Sequence, residues 1–231
     1  MKNLELFVIN PGATFLEKER NRLLLLGILF SCLLELARVL YTGKPAYLFL
    51  VWNLILAFFP FLISSMLDTE RRPAINKIRF LLFFLLWLLF IPNAFYILTD
   101  LYHLKDGRRD PRVPGWFDLA LIVSFAWNGL ALGILSVRQM EKIIRSHIVR
   151  IPEALFIFPL MWLNALGVYI GRYKRLNSWD LLANPFAVIR GIVGLLIHPL
   201  ASRYALGMIG CFSILFTLFY FSIKKMAGNL R

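Results

Sequence analysis

Residues 80–91 read FLLFFLLWLLFI, and residues 92–104 continue PNAFYILTDLYHL. The first stretch carries no charge; the second sets a carboxylate and an imidazole, Asp100 and His103, three residues apart. A helix needs roughly 20 residues to cross a hydrocarbon core, and a run this apolar is suited to that medium. Uncharged stretches at 46–66, 80–99, 119–137, 154–171 and 204–223 meet or approach the length, and 22–41 joins them if Glu35 and Arg38 are accommodated. The runs are continuously apolar and do not alternate, so helices rather than a closed β-barrel satisfy the backbone in lipid. The expected fold is all-α, a polytopic membrane protein with six transmembrane helices. The piece FAVIRGIVGLLIH at 186–198 is too short to span and contains Arg190, which predicts a short interfacial or re-entrant helix.

This division gives a cytoplasmic N-terminal segment at 1–21, a six-helix membrane domain at 22–223 and a cytoplasmic tail at 224–231. With 59% hydrophobic and 17% charged residues in a chain of 231, the composition excludes an ordinary soluble domain. The 26 Lys and Arg against 13 Asp and Glu raise the question of nucleic acid. The basic residues are spread over every connection and build no single face, so no nucleic-acid partner is expected. Fifteen of them fall on the side of the termini and ten in the opposite connections, which favours both termini in the cytoplasm. No small-residue cleavage pattern follows the first apolar run, so that helix is expected to be retained. Cys32 and Cys211 fall inside spans, where a thiol acts as a small apolar group.

In that topology the polar residues gather at the outer end: Glu35 and Arg38 on the first helix, Trp52 and Asn53 on the second, Asp118 opening the fourth and Asn164 on the fifth. The cytoplasmic halves offer only scattered polar groups such as Asn128. On the third helix Asn93, Tyr96, Asp100 and His103 are spaced three, four and three, the repeat that keeps side chains on one helical face, with Thr99 beside them. Pro92 removes a backbone hydrogen bond and favours a kink next to this stripe. The competing reading ends the helix near Ile97 and leaves the rest as a wet loop.

Glu35 and Arg38, three apart, are spaced to pair within the first helix, as a structural ion pair or as part of a site, and ionisable groups inside a span face the bundle by default. Arg172 and Arg175 stand one turn apart beyond the fifth, and the guanidinium fork suits phosphate or carboxylate. Interfacial snorkelling is the structural alternative. Asn177 and Asp180 join the candidate substrate-binding set, although a capping role for the following short helix accounts for them as well. Asp118 sits in the first turn of the fourth helix, where negative charge suits the helix dipole. Gly129 with Gly133, and Gly167 with Gly171, are four-residue pairs that permit close helix contact.

At PNAFYILTDLYHL, WFDLALIVSFAWNGLALG and GRYKRLNSWD the chain resembles the domain of unknown function 1361 family, uncharacterised bacterial multi-pass membrane proteins, over residues 46–185. The most specific part is the PN..Y..TD..H run, complete at Pro92, Asn93, Tyr96, Thr99, Asp100 and His103. The resemblance implies a bacterial inner-membrane setting and points to these residues. It brings no substrate and no mechanism.

Three functions compete. In the first, an enzyme of the outer leaflet acts on a lipid-linked substrate, with Asp100, His103, Tyr96 and Asn93 catalytic. Asp100 and His103 serve there as an acid/base pair or, completed by Asp118 or His198, as ligands of a divalent metal that activates water. Arg172, Arg175, Arg38 and Glu35 then hold the head group. No HExxH, GxSxG or Walker pattern accompanies them. In the second, the same residues bind or transport an anionic lipid or small anion, although no internal repeat or pair of broken helices is evident. In the third, the polar cluster of a non-catalytic membrane subunit docks a protein partner.

Overall fold

Long runs of Leu, Phe and Ile leave the backbone nothing to bond with but itself, and the chain answers with helices throughout. The structure, a computed structural model, describes residues 15–69, 77–105, 110–147, 152–175 and 202–228, and singly 186, 190 and 193. Among the described residues the α-helices with full bounds are α1 (Phe15–Thr42), α2 (Leu48–Thr69), α3 (Lys77–Tyr96), α4 (Gly115–His147), α5 (Glu153–Tyr169) and α6 (Arg203–Gly228). Each is long and apolar enough to cross a membrane, so the protein is a multi-pass membrane protein. Asn177, Asp180 and His198, and all of 186–198 apart from Phe186, Arg190 and Val193, lie outside the described residues.

α4 is the central element: 67% of its apolar window is buried, against 22% for α1 and for α6. It packs against α1, α2 and α3, while α5 joins α3 to α6. Lipid tails are as apolar as leucine, so helices meet here by close approach and by polar pairing rather than by escape from water. Glycine makes the approach possible. A Cβ at Gly133 would lie 3.0 Å from that of Ala94, and one at Gly167 would lie 2.7 Å from Cβ of Pro92. Gly129 and Gly133 thus seat α4 on α3, and Gly167 seats α5 on the proline of α3.

Polar pairs supply the rest. Asn128 donates to Ser31 Oγ at 2.9 Å and joins α4 to α1. Ser136 Oγ accepts from Trp87 Nε1 at 2.7 Å and donates to the carbonyl of Pro60 at 2.8 Å, while Ser64 donates to Gln139 at 2.7 Å. One buried knot therefore ties α2, α3 and α4 together. At the end where α6 finishes, Glu141 of α4 accepts from Tyr220 and from Lys224 of α6, the latter at 2.9 Å, and from Arg145 at 2.9 Å. Lys224 also reaches Glu153 of α5 at 2.7 Å. This corrects the expectation that polar groups cluster at one end only: α4 is 33 residues long, and it carries Glu141 into the packed bundle before the helix reaches water.

At the opposite end, the far end, Gly43 takes a φ of 68° that ends α1, with its N–H on the carbonyl of Val39 at 2.8 Å. Asp110 clips the neighbouring loops: it accepts from the Arg112 guanidinium at 2.9 Å and from Lys44 at 3.3 Å, and Arg112 also donates to the carbonyl of Thr42 at 3.0 Å. The Arg112 hydrogen bonds hold the Asp110 carboxyl well below the usual carboxylate range. A carboxyl shifted in this direction stabilises the fold above its ordinary titration range and loses that contribution only as pH falls through the depressed value. The clip should therefore persist at mildly acid pH, and proteolytic protection of these loops should be the same at neutral and mildly acid pH in the wild type but lower at both in Asp110→Asn.

Gly167→Ala forces a methyl onto a proline ring and should lower the unfolding temperature in detergent, by the equivalent of about 1–3 kcal/mol. Gly207→Ala, where nothing lies within 4 Å, should leave it unchanged or raise it.

Candidate functional site

The stretch that opened the sequence reading keeps its helix through Pro92 to Tyr96 and then tightens into a 3-10 helix over Ile97–Leu104. The competing picture of a wet loop after Ile97 is thereby excluded. The tightening also corrects the expected stripe. At three residues per turn Asp100 eclipses His103, whereas Thr99 follows Tyr96 on an adjacent face. Thr99 accordingly donates to the carbonyl of Tyr96 at 2.7 Å. Asp100 is buried, His103 and Tyr96 are partly so, and Asn93 is half-buried on the preceding turn.

Asp100 is held from two sides. Asn53 of α2 donates to its Oδ2 at 2.8 Å. Its Oδ1 lies 3.6 Å from the guanidinium of Arg172 and 3.8 Å from Nε2 of His103. Arg172 belongs to a π-helical turn, Ile170–Lys174, that follows α5, and its NH1 lies 3.1 Å from His103 Nε2. A guanidinium has donors only, so this contact requires the imidazole nitrogen to accept, which makes His103 neutral with its proton on Nδ1. The edge of Phe49 packs on the His103 ring at 4.8 Å, and Arg172 lies 5.5 Å from the centre of the Tyr102 ring. Asn53, the neighbouring Asp100 and His103, and Arg172, from three separate stretches of sequence, thus meet at the far end.

The other candidates are placed differently. Arg38 does not take Glu35 as its main partner: its Nε donates to Asp118 Oδ1 at 2.8 Å across two helices, and both side chains are at most 1% exposed. The Arg38 guanidinium also lies 4.4 Å over the ring of Tyr47. An intramembrane Arg or Asp costs about 2.5–3.5 kcal/mol on insertion scales, so mutual pairing across helices is what makes both tolerable in α1 and α4. Asp118 serves this pair and is not gathered with Asp100 and His103; among the described residues no three His, Cys, Asp or Glu side chains form a metal-holding group. Arg175 ends the π turn in the left-handed region, φ 54°, and is exposed rather than turned toward Asp100. Asn164 is fully buried and donates to the carbonyl of Leu160 at 3.0 Å. Trp52, beside Asn53, is exposed toward the lipid side.

Asn53, Tyr47 and Phe49 are parts of this region that the site residues chosen from sequence omit. The amide of Asn53 alone in VWNLILAFF was the available signal; the two rings carried none.

A family model described as "Protein of unknown function (DUF1361)" matches residues 52–219, and the chain belongs to that family. No curated protein and no solved structure matches it. The match covers α3, the 3-10 segment, α4, α5 and most of α2 and α6.

Asp118→Ala leaves the Arg38 charge buried without its carboxylate and should destabilise the protein by about 3–5 kcal/mol, measured by unfolding in mixed detergent. The double variant Arg38→Met with Asp118→Leu should recover most of that loss, since two apolar side chains need no partner.

Proposed function

We propose that this DUF1361 protein uses the far-end cluster of Asp100, His103 and Arg172 to recognise an anionic group, that of a lipid or lipid-linked molecule, at the surface of the membrane. The observation that carries the reading is the loose hold on Arg172. Its NH1 is shared between a neutral imidazole at 3.1 Å and a carboxylate oxygen at 3.6 Å, longer than the 2.7–2.9 Å of a charge-assisted bond. A phosphate offers that guanidinium closer and stronger acceptors. Asn53 fixes the other oxygen of Asp100, so the carboxylate stays in place when the arginine turns. Arg175, exposed one turn on, lends a second positive charge from the interface. In the positive-inside sense the cluster faces outward, with both termini cytoplasmic in a bacterial inner membrane.

A second reading follows from the histidine. Once a ligand engages Arg172, the lone pair of His103 Nε2 is released beside Asp100, and it can accept a proton from a nucleophile. That supports hydrolysis or group transfer on the bound molecule by acid/base chemistry.

Full-length protein purified with phosphatidylglycerol in mixed micelles provides the test. Arg172→Gln should weaken retention of that lipid in native mass spectra by about tenfold or more, as loss of a charge-assisted contact predicts. Arg175→Gln should weaken it less. Unchanged retention in a well-folded Arg172→Gln variant sinks the head-group reading.

A further inference from the structure

His103 brings to the far-end cluster a ring whose charge changes near neutral pH. Its Nε2 stands between groups of opposite sign, NH1 of Arg172 at 3.1 Å and Oδ1 of Asp100 at 3.8 Å. The side chains of His103, Arg172 and Asp100 are 12%, 15% and 1% exposed, so water screens their charges little. A neutral Nε2 accepts from Arg172. A protonated Nε2 has no lone pair: it can only donate, toward Asp100, and it stands as a second cation 3.1 Å from the first. One nitrogen thus serves either Arg172 or Asp100, and its proton decides which.

The surroundings leave that choice to these three groups. α2 presents Phe49 to the imidazole and Asn53 to the carboxylate, and neither is ionisable. α4 packs on the 3-10 helix, and the ionisable group in its outer half, Asp118, is bonded to Arg38. Among the described residues the adjoining segments add the phenols of Tyr47, Tyr96 and Tyr102 and the exposed Lys105, Lys174 and Arg175.

We propose that capture of an anionic head group by Arg172 is proton-linked: His103 takes up one proton at Nε2 as Arg172 leaves it. The inference rests on the head-group reading above and takes its binding form, since a histidine protonated on capture donates and no longer accepts from a nucleophile. Without ligand, the imidazolium would share one carboxylate with a guanidinium that nothing else neutralises at this contact. When the anion takes Arg172, its charge cancels that of the guanidinium and Nε2 loses its donor. Asp100, held by Asn53 through Oδ2, then lies ready to receive the new N–H at Oδ1. The proton comes from water, and no other bond is made or broken. Linkage is reciprocal, so a site that takes up a proton on binding binds more tightly as pH falls through the histidine range.

The experiment measures retention of phosphatidylglycerol by full-length protein in mixed micelles between about pH 8 and about pH 5.5, a range set by histidine. The phosphodiester keeps its single charge throughout, so any change belongs to the protein. The wild type should retain the lipid about tenfold better at the acid end, the size of an ordinary coupling. His103→Gln, whose amide still accepts from Arg172, should bind equally at both ends. His147→Gln and His198→Gln, which change the other two histidines of the chain, should keep the wild-type dependence. Nitrogen-15 spectra of histidine-labelled protein follow the proton itself, with His103 assigned by its loss in His103→Gln. Near neutral pH, His103 should be neutral and protonated at Nδ1 without lipid, and should become imidazolium when phosphatidylglycerol is added. Its Nε2 should lose its hydrogen bond in Arg172→Leu. No lipid retention at any pH sinks the head-group reading alone. A His103 already doubly protonated in the lipid-free protein at about pH 8, an Nε2 signal unmoved by Arg172→Leu, or retention that does not vary with pH overturns the proton linkage.

Discussion

An ionised side chain in hydrocarbon has no solvent to return to, and the Arg38–Asp118 pair is where this protein meets that constraint most directly. Neither residue is tolerable in its own helix. Together, at 2.8 Å, each supplies the counter-charge the other lacks, and the pair fixes α1 to the start of α4. That junction sets the far end of the molecule. The loops on either side of it are clipped by Asp110, Lys44 and Arg112, and Tyr47, stacked on Arg38, continues through Phe49 to the His103 ring. The position of His103, and with it the acceptor offered to Arg172, thus depends on a contact chain that begins in a buried ion pair.

The contrast between the two ends is chemical. Where α6 finishes, Glu141 is saturated by Tyr220, Lys224 and Arg145, and Glu153 shares the same lysine. Each carboxylate there has a cation within 2.9 Å, as a structural network requires. At the far end Arg172 is held more loosely, its NH1 3.6 Å from Asp100 Oδ1. Polar groups in a membrane interior are costly, so matched ones read as joints and mismatched ones as places for another molecule.

Much of the architecture was legible because lipid imposes a length and a composition on every span. Six spans and the close packing at Gly129 and Gly133 follow from patterns local to one helix. What pairs across helices was not. Glu35 and Arg38, three apart, looked like each other's partners, yet the arginine crosses to Asp118, because a bond between helices also holds the bundle together. Glu141 in RQMEKIIRSH has the appearance of a solvated connector, and only the length of α4 brings it against Tyr220 and Lys224. The stripe on the third helix was wrong in its period: beyond Tyr96 the chain winds at three residues per turn, which a spacing of three and four cannot reveal.

α4 runs for 33 residues with no proline, about 50 Å at the rise of an α-helix, and so overhangs a hydrocarbon layer of about 30 Å. Asp118 stands in its first turn and Glu141 near its last. One unbroken rod is thus gripped at both tips and pressed onto α3 midway, where Gly129 and Gly133 leave no room for a methyl group, so the three contacts share a single rigid element.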